Sequence, residues 1–137
     1  MATNAGESRE FPYATHMNVL FDSLQTIAID PLVARVSDAW FNQTLARVND
    51  AVIRLGVMQG EYHWHEHVAE DEFFFVLDGT FVIDLEPAAD GVTPGRVVVL
   101  KPREGFVVPR GVRHRTRAPE RAIILMVEAA TIVPTGS

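Results

Sequence analysis

Residues 71–85 read DEFFFVLDGTFVIDL, and this stretch decides the fold class. Two short runs of aromatic and β-branched residues, 73–77 and 81–85, lie on either side of Asp78-Gly79. Such runs favour β-strands, and an Asp-Gly pair between them is a strong signal for a hairpin turn. The stretch therefore predicts two antiparallel strands joined by a tight turn.

Similar strand signals continue along the chain on both sides of this stretch. Turn residues separate short apolar runs at intervals of roughly 8–12 residues, which is typical of an all-β sandwich or barrel. Residues 17–43 give a mixed signal, and we expect irregular structure or short strands there. The other predicted strands are 51–58, 97–100, 106–108 and 121–129.

The length and composition of the chain limit its class. With 137 residues it is long enough for one domain. We expect a flexible N-terminal tail over residues 1–16 and a single domain over residues 17–137. No apolar run reaches the roughly 20 residues that span a bilayer, and the N-terminus does not read as a signal peptide. A cytoplasmic protein with no membrane partner is therefore expected.

The charge balance argues against a nucleic-acid partner. Eighteen acidic and 12 basic residues give a net charge of −6, whereas nucleic-acid binding depends on a basic surface. Acidic residues crowd 61–72, and basic residues crowd 101–121. These two segments are either solvated loops that neutralise one another or a basic rim that attracts an anionic substrate.

Residues 61–67 read EYHWHEH, with histidine at every second position from residue 63 to residue 67. In a strand, alternate side chains share a face, so His63, His65 and His67 would point the same way. Three inward imidazoles lose hydration unless a ligand uses their lone pairs; a histidine stripe on the surface is the alternative. Because the chain has no cysteine, a metal site must use His, Asp, Glu or water.

Two further residues complete a candidate metal site. Glu72 begins the next predicted strand, where it would lie opposite the histidines across a hairpin and supply an oxygen ligand. His114 follows a turn at residues 109–111 that would return the chain toward the same cavity. If His114 points inward, strand alternation turns Arg113 and Arg115 outward.

These spacings resemble the two motifs of the cupin superfamily. His65-x-His67-(x)4-Glu72-(x)6-Gly79 is similar to the first motif, and Pro109-x-Gly111-(x)2-His114 is similar to the second. The resemblance covers most of residues 17–137 and is closest to small single-domain bacterial cupins of the mannose-6-phosphate-isomerase-like group. Three positions at which the family often has Gly, Gly and Asn depart from its pattern, which bears on local turns and not on the ligands: Gln59, Arg103 and Ala118.

The resemblance implies an architecture, a cofactor and a range of functions. It implies a double-stranded β-helix (a jelly-roll β-barrel) in which His65, His67, Glu72 and His114 hold one divalent transition metal. Imidazole with carboxylate suits Fe, Mn, Ni, Co or Zn. We expect a metal-dependent enzyme of dioxygenase or isomerase type acting on a small polar metabolite; the alternative is a non-catalytic module that binds a sugar or another small ligand.

Further expectations are less closely tied to the motifs. His63 is either an acid/base or ligand-supporting residue, or a residue at the barrel mouth hydrogen-bonded to Glu61 or water. Small cupins are commonly homodimers in which an N-terminal strand packs on the neighbour; residues 32–36 or the segment around Phe41 would supply it. Three apolar side chains are either cavity wall or ordinary core: Phe74, Phe81 and Ile83.

Overall fold

The structure is a computed structural model that describes residues 13–136. Within these residues the chain forms eight strands and one four-residue helix, so the predicted all-β class is confirmed. The elements are β1 (Ala14–His16), α1 (Asp30–Val33), β2 (Trp40–Val48), β3 (Ala51–Glu61), β4 (Glu72–Asp78), β5 (Phe81–Leu85), β6 (Arg96–Leu100), β7 (Gly105–Val108) and β8 (His114–Ala129). No helix in this part of the chain is long and apolar enough to cross a membrane.

Strand β8 joins the two halves of the sheet. Strands β1-β2-β3-β8-β4-β7 are neighbours in that order, all antiparallel except β1 with β2. The C-terminal half of β8 lies between β3 and β4, whereas its N-terminal residues pair with β5, which pairs in turn with β6. Across the described residues these pairings do not close into a ring. The two halves instead fold over a shared interior.

That interior is apolar at one end and polar at the other. Alternate side chains of β4, β5 and β8 form the main apolar core, with Phe74, Phe81 and Ile124 at 3% exposure or less. The polar end is lined by buried His, Glu, Asn and Thr side chains from the same strands and from β2. A second apolar cluster lies on the outer face of β2 and β3, where residues 21–36 cover Leu45, Leu55 and Val57.

Strand β2 was expected only as irregular structure or short strands. Its nine residues include three consecutive buried polar side chains, Asn42, Gln43 and Thr44, which hide the usual alternation. Gln43 Nε2 donates to the carbonyl oxygen of Asn18 at 2.7 Å, so this amide is satisfied by the covering segment. A strand buried on both faces, with one face polar, gives no clear period-2 signal.

Strand β8 is much longer than the predicted strand over 121–129. It continues back to His114 through Pro119, a residue that normally argues against a central strand. Here the register with β3 shifts, because Gly60 pairs with Ala118 and Met58 pairs with Ala122. Pro119 therefore sits at an irregularity in the ladder, where its missing N–H breaks no regular pairing.

The predicted hairpin over 73–85 is wrong, although both of its strands form. Strand β4 pairs with β7 and β8, whereas β5 pairs with β6 and β8, so the turn carries the chain from one half of the sheet to the other. Gly79 has φ of +80°, and a Cβ there would lie 2.7 Å from the main-chain oxygen of Arg121. The turn is pressed against β8, and glycine is needed for both reasons.

The N-terminal expectations also change. Residues 14–16, assigned to the tail, form β1, which pairs with residues 41–43 of β2; residues 1–12 lie outside the described residues. Residues 30–33 form α1 and not a strand, since Pro31 sits in the first turn. Leu32, Val36 and Phe41 pack on the outer cluster of their own chain. These residues are therefore not available as a strand for a neighbour.

We predict that Gly79→Ala destabilises the protein by roughly 2–4 kcal/mol, because it combines a left-handed backbone with a clash against β8. Gly91→Ala is the matched control, since Gly91 has φ of +71° but nothing lies within 4 Å of the added Cβ. We expect Gly91→Ala to cost about 1 kcal/mol or less. Urea unfolding measures both; equal losses would show that the contact with β8 is unimportant.

Candidate metal centre

Four side chains, of residue types that bind metals in many proteins, converge at the polar end of the interior. His65, His67, Glu72 and His114 each offer one ligand atom, and these atoms all lie within 4.8 Å of one another. The four residues are at most 8% exposed. The sequence spacing thus predicted a set of residues that the fold brings together.

The backbone positions three of these residues through a small network. His65 and His114 form an isolated bridge in which each N–H donates to the other's carbonyl oxygen at 2.9 Å. The N–H of Gly111 donates to the carbonyl oxygen of His67 at 2.8 Å, so the turn before β8 fixes the second histidine. The imidazoles therefore approach from two segments held side by side.

The route by which these residues meet differs from the expectation. Strand β3 ends at Glu61, so residues 63–67 are not a regular strand with three inward histidines. Glu72 does not face the histidines across a hairpin. It is the first residue of β4, where its Cα is opposite Glu128 of β8 and Val108 of β7.

Two of the imidazoles have their tautomers set by main-chain carbonyls. His65 Nδ1 lies 3.0 Å from the oxygen of His63, and His114 Nδ1 lies 2.9 Å from the oxygen of Val112. A carbonyl oxygen only accepts, so Nδ1 carries the hydrogen in both rings and Nε2 keeps its lone pair. Such outer hydrogen bonds are typical of histidines that bind metals.

The Nε2 atoms of two of the imidazoles lie near one carboxylate oxygen. Glu72 Oε1 lies 3.5 Å from His67 Nε2 and 3.4 Å from His114 Nε2. Among the described residues, all three of these buried atoms lack a hydrogen-bond partner. Buried acceptors without partners cost free energy. Three imidazoles and one carboxylate in this arrangement fit a divalent transition metal.

The charges around the site are unusual for groups so deeply buried. Burial lowers the pKa of His65 from 6.5 to about 4, with the neighbouring His114 adding to the effect. Burial raises the pKa of Glu72, but its interactions with the neighbouring His114, His67 and Glu128 side chains outweigh this effect, so the net shift is downward. In the neutral pH range the histidine is uncharged and the glutamate ionised, which are the forms that bind metal.

A second carboxyl group and an arginine lie directly behind Glu72. Glu128 lies opposite Glu72 where β8 pairs with β4, and its Oε1 accepts a hydrogen bond from Arg54 Nη1 at 3.1 Å. Arg54 is fully buried and Glu128 is 3% exposed. Burial raises the pKa of Glu128 well above its usual range, and repulsion from Glu72 adds to this. Sequence reasoning missed both residues, since an isolated Arg and Glu in apolar runs carry no motif.

His63 lies beside the cluster but not among its ligand atoms. Its ring centroid is 5.1 Å from that of His65, and its Nε2 lies 2.8 Å from the carbonyl oxygen of Thr135. Tyr62 Oη donates to the oxygen of Pro134 at 3.3 Å, and the raised pKa of this buried phenol keeps it protonated. Gly136 packs so closely on His65 that a Cβ would lie 2.9 Å from the histidine Cβ. Residues 134–136 thus form one side of the site.

A small cavity, partly open to solvent, adjoins His65 and Glu72. Phe74 lines this cavity, which agrees with the first of its two predicted roles, cavity wall or ordinary core. Phe81 and Ile83 are instead fully buried in the apolar core and do not line this cavity. Sequence reasoning missed most of the wall, whose other residues are Trp40, Asn42, Met58, Tyr62, Thr116, Met126 and Pro134.

The basic residues of 110–117 pair with acids outside the cavity. Arg110 contacts Asp71, Arg113 contacts Glu86, and Arg115 contacts Asp84 and Glu61, all within 4.0 Å. Arg117 also bonds Asp84, and the guanidinium of Arg115 lies over the Trp64 ring. Two of these ion pairs, Arg110–Asp71 and Arg115–Glu61, join the basic segment to the acidic one. No Lys or Arg is among the residues that line the described cavity.

Comparisons with known proteins agree with this architecture. The Cupin domain profile matches residues 52–128. An uncharacterized protein of Bacillus subtilis (strain 168), YdbB, is 38% identical over 93 residues, which cover 68% of this chain and 76% of that protein.

Solved structures give the same result. A cupin-2 domain containing protein from Shewanella frigidimarina has a TM-score of 0.66 at 29% identity, over 76% of this chain and 94% of that one. A hydroquinone 1,2-dioxygenase, PnpCD, in complex with Fe³⁺ has a TM-score of 0.67 at 15% identity. That match covers 80% of this chain and 33% of the dioxygenase chain, and at this identity it supports the fold alone.

We predict that the metal-free protein loses stability as the pH falls from 6.5 to about 4. In this window the unfolded chain binds a proton at His65 that the folded chain does not, because the folded pKa is lowered. A pKa lowered from 6.5 to about 4 corresponds to about 3 kcal/mol. Urea unfolding in EDTA at pH 7 and pH 4 measures the loss. His65→Asn lacks this group and should lose correspondingly less; equal losses in the two proteins would contradict the assignment.

Proposed function

Because this chain belongs to the Cupin domain family, we propose that it is a metal-dependent enzyme acting on a small metabolite. In this proposal His65, His67, Glu72 and His114 bind one divalent transition metal at the inner end of the cavity. The proposal depends on three buried atoms that lie close together: Nε2 of His67, Nε2 of His114 and Oε1 of Glu72. None of them has a hydrogen-bond partner among the described residues. A protein that bound no ion would leave these atoms unsatisfied.

We propose Fe(II) as the ion and oxidative cleavage as the reaction type. The donor set suits Fe(II), and the dioxygenase of similar fold is described in complex with Fe³⁺. When bound, such an ion supplies a Lewis acid and a redox centre next to the substrate. Isomerisation, the other expected reaction, would use the same ligands, so the choice rests on the cavity.

The cavity wall favours a substrate with a flat apolar body. Trp40, Phe74 and Met126 contribute apolar surface, and the arginines of 110–117 are engaged on the outside. Phosphate or carboxylate groups are usually bound by Arg or Lys, which this wall lacks among the described residues. A sugar phosphate therefore fits poorly, whereas an uncharged aromatic diol presents two adjacent oxygens and an apolar ring.

Two polar side chains in the wall are suited to orienting such a substrate. Asn42 is 8% exposed, lines the cavity, and its Oδ1 accepts no hydrogen bond from the described residues. Thr116 is buried on the same wall. We propose that the Asn42 amide oxygen accepts a hydrogen bond from a substrate hydroxyl, which orients the ring relative to the ligand cluster.

For His63 we propose a supporting role and not acid/base chemistry. Its ring nitrogen is engaged with the Thr135 carbonyl, and its own carbonyl accepts from the ligand His65. His63 therefore links the segment of residues 134–136 to the first ligand. A proton donor for the substrate would need its ring turned toward the cavity.

Association of two copies is proposed on separate grounds. Met17, Val19 and Leu20 are each more than 40% exposed beside β2, and Leu24 is fully exposed at a positive φ. A second copy would cover these side chains. Light scattering should then give twice the chain mass of 15.2 kDa, and Leu20→Glu should shift it toward one chain mass. A wild-type mass of one chain at micromolar concentration would reject association.

We predict that the protein purified without chelator holds one equivalent of a divalent metal, and that His67→Ala and His114→Ala lose it. Elemental analysis measures the metal. Anaerobic loading with Fe(II), followed by oxygen and catechol or hydroquinone, should consume oxygen in the wild type only. Loss of an imidazole ligand is expected to lower metal affinity by at least about tenfold, since outer residues alone often have that effect.

His16→Gln is the matched control for this experiment, because His16 lies on β1 and stacks on Phe41 away from the cavity. It should keep both the metal and the oxygen consumption. Tight binding of an aromatic diol without turnover under any of the five metals would favour a binding module. A wild type that retains no divalent ion after reconstitution would reject the metal site altogether.

A further inference from the structure

The ion pair behind the metal cluster has no role in the function proposed so far. Arg54 of β3 is completely buried, and its Nη1 lies 3.1 Å from Glu128 Oε1. Neither residue lines the described cavity, so neither is placed to touch a substrate. Both side chains nevertheless face the same interior as the ligand cluster, since Glu128 is opposite Glu72 in the β4–β8 pairing and Arg54 is on the same face of β3.

Stabilisation of the fold alone does not explain why this pair is buried. A guanidinium and a carboxyl group lose their hydration on burial, and well-packed apolar residues of the same volume are often at least as stabilising. Here the pairing is also incomplete, because Arg54 Nε and Nη2 and Glu128 Oε2 have no hydrogen-bond partner within residues 13–136. Because apolar residues would stabilise the fold at least as well, the buried Arg54–Glu128 pair suggests a role in positioning a neighbouring side chain.

The register of strands β3, β8 and β4 indicates which side chain the pair would position. The Cα of Glu128 is opposite that of Glu72 in β4 and that of Val52 in β3, which places Arg54 diagonally across from Glu128. Directly opposite and diagonal side chains on one face of a sheet are the ones that touch. Arg54, Glu128 and Glu72 therefore form a row across β3, β8 and β4 that the backbone ladders hold in place.

We propose that Arg54 and Glu128 are positioning residues that fix the carboxylate of Glu72 with Oε1 toward the imidazoles. Arg54 holds Glu128, and Glu128 holds Glu72. Oε1 then faces His67 and His114 at 3.5 and 3.4 Å. Without this support, the Glu72 side chain would be free to rotate away from the cluster. The inference rests on the proposed metal site and adds to it the residues that orient its single oxygen ligand.

Arg54→Met gives the sharpest test, because two explanations predict opposite signs. The variant keeps much of the volume and removes the charge. If Arg54 acted only through its positive charge, removing it would strengthen the binding of a cation. If Arg54 positions Glu72 through Glu128, its removal should weaken Co²⁺ binding about tenfold or more. Competition titration of the full chain with Co²⁺ and a chromophoric chelator measures the affinity.

Glu128 provides a matched series. Glu128→Leu removes the contact to Glu72 and should weaken Co²⁺ binding about 10–100-fold and alter the visible absorption spectrum of the Co²⁺ form. Glu128→Gln keeps hydrogen bonding to both neighbours and should remain within about threefold of the wild type. Co²⁺ absorption reports the ligand arrangement, which a merely structural role would leave unchanged once the protein is folded.

Asp84→Asn is the control on the opposite face. Asp84 is a buried carboxylate bonded to Arg115 and Arg117, and its replacement should lower the Tm without changing the Co²⁺ spectrum or affinity. If Glu128→Leu does not fold, Arg54→Met decides the test alone. Wild-type-like or tighter Co²⁺ binding by folded Arg54→Met overturns the positioning role. A wild type that fails to bind Co²⁺ rejects the metal site itself.

Discussion

The constraint on which this structure depends is the burial of lone pairs that no group among the described residues uses. His67, His114 and Glu72 bring three such atoms to one point inside the sheet. Main-chain carbonyls set the tautomers of His65 and His114, so each ring offers Nε2 to the centre. The main apolar core packs against this region, with Phe74 and Met126 among its buried residues. Binding of the proposed divalent ion would give these atoms a partner and so remove the cost of burying them.

Much of the site could be predicted from the sequence, because ligand spacing is a local signal. The alternation of His65 and His67, followed by Glu72 and the distant His114, was sufficient to name the cluster. The path by which they meet was not predictable, since β4 and β5 read as a hairpin although they pair with different strands. Such a reading uses only the turn and cannot see that Gly79 is pressed against β8.

The burial of polar residues within strands was the hardest feature to predict from the sequence. Asn42 and Arg54 face the interior, yet in the sequence they interrupt the apolar pattern that marks a core strand. Phe81 and Ile83 were candidates for the wall because apolar alternation shows which face of a strand is buried, but not whether a buried side chain lines a cavity or packs in the core. The charged segments were easier to interpret, because exposed Arg and acidic side chains that lie close together usually pair, as Arg110 and Asp71 do.

The division of the ligands along the chain has a consequence for how the protein is made. Three ligands lie within residues 65–72, but His114 and Glu128 are on β8, about 40 to 60 residues later. At translation rates of about 5–20 residues per second, the nascent chain carries the first three for at least roughly 2 seconds before His114 is synthesised. The complete cluster exists only once β8 has left the ribosome and docked between β3 and β4. Capture of the proposed metal would therefore be a late event in the biogenesis of this protein, and it would complete the folded domain rather than initiate it.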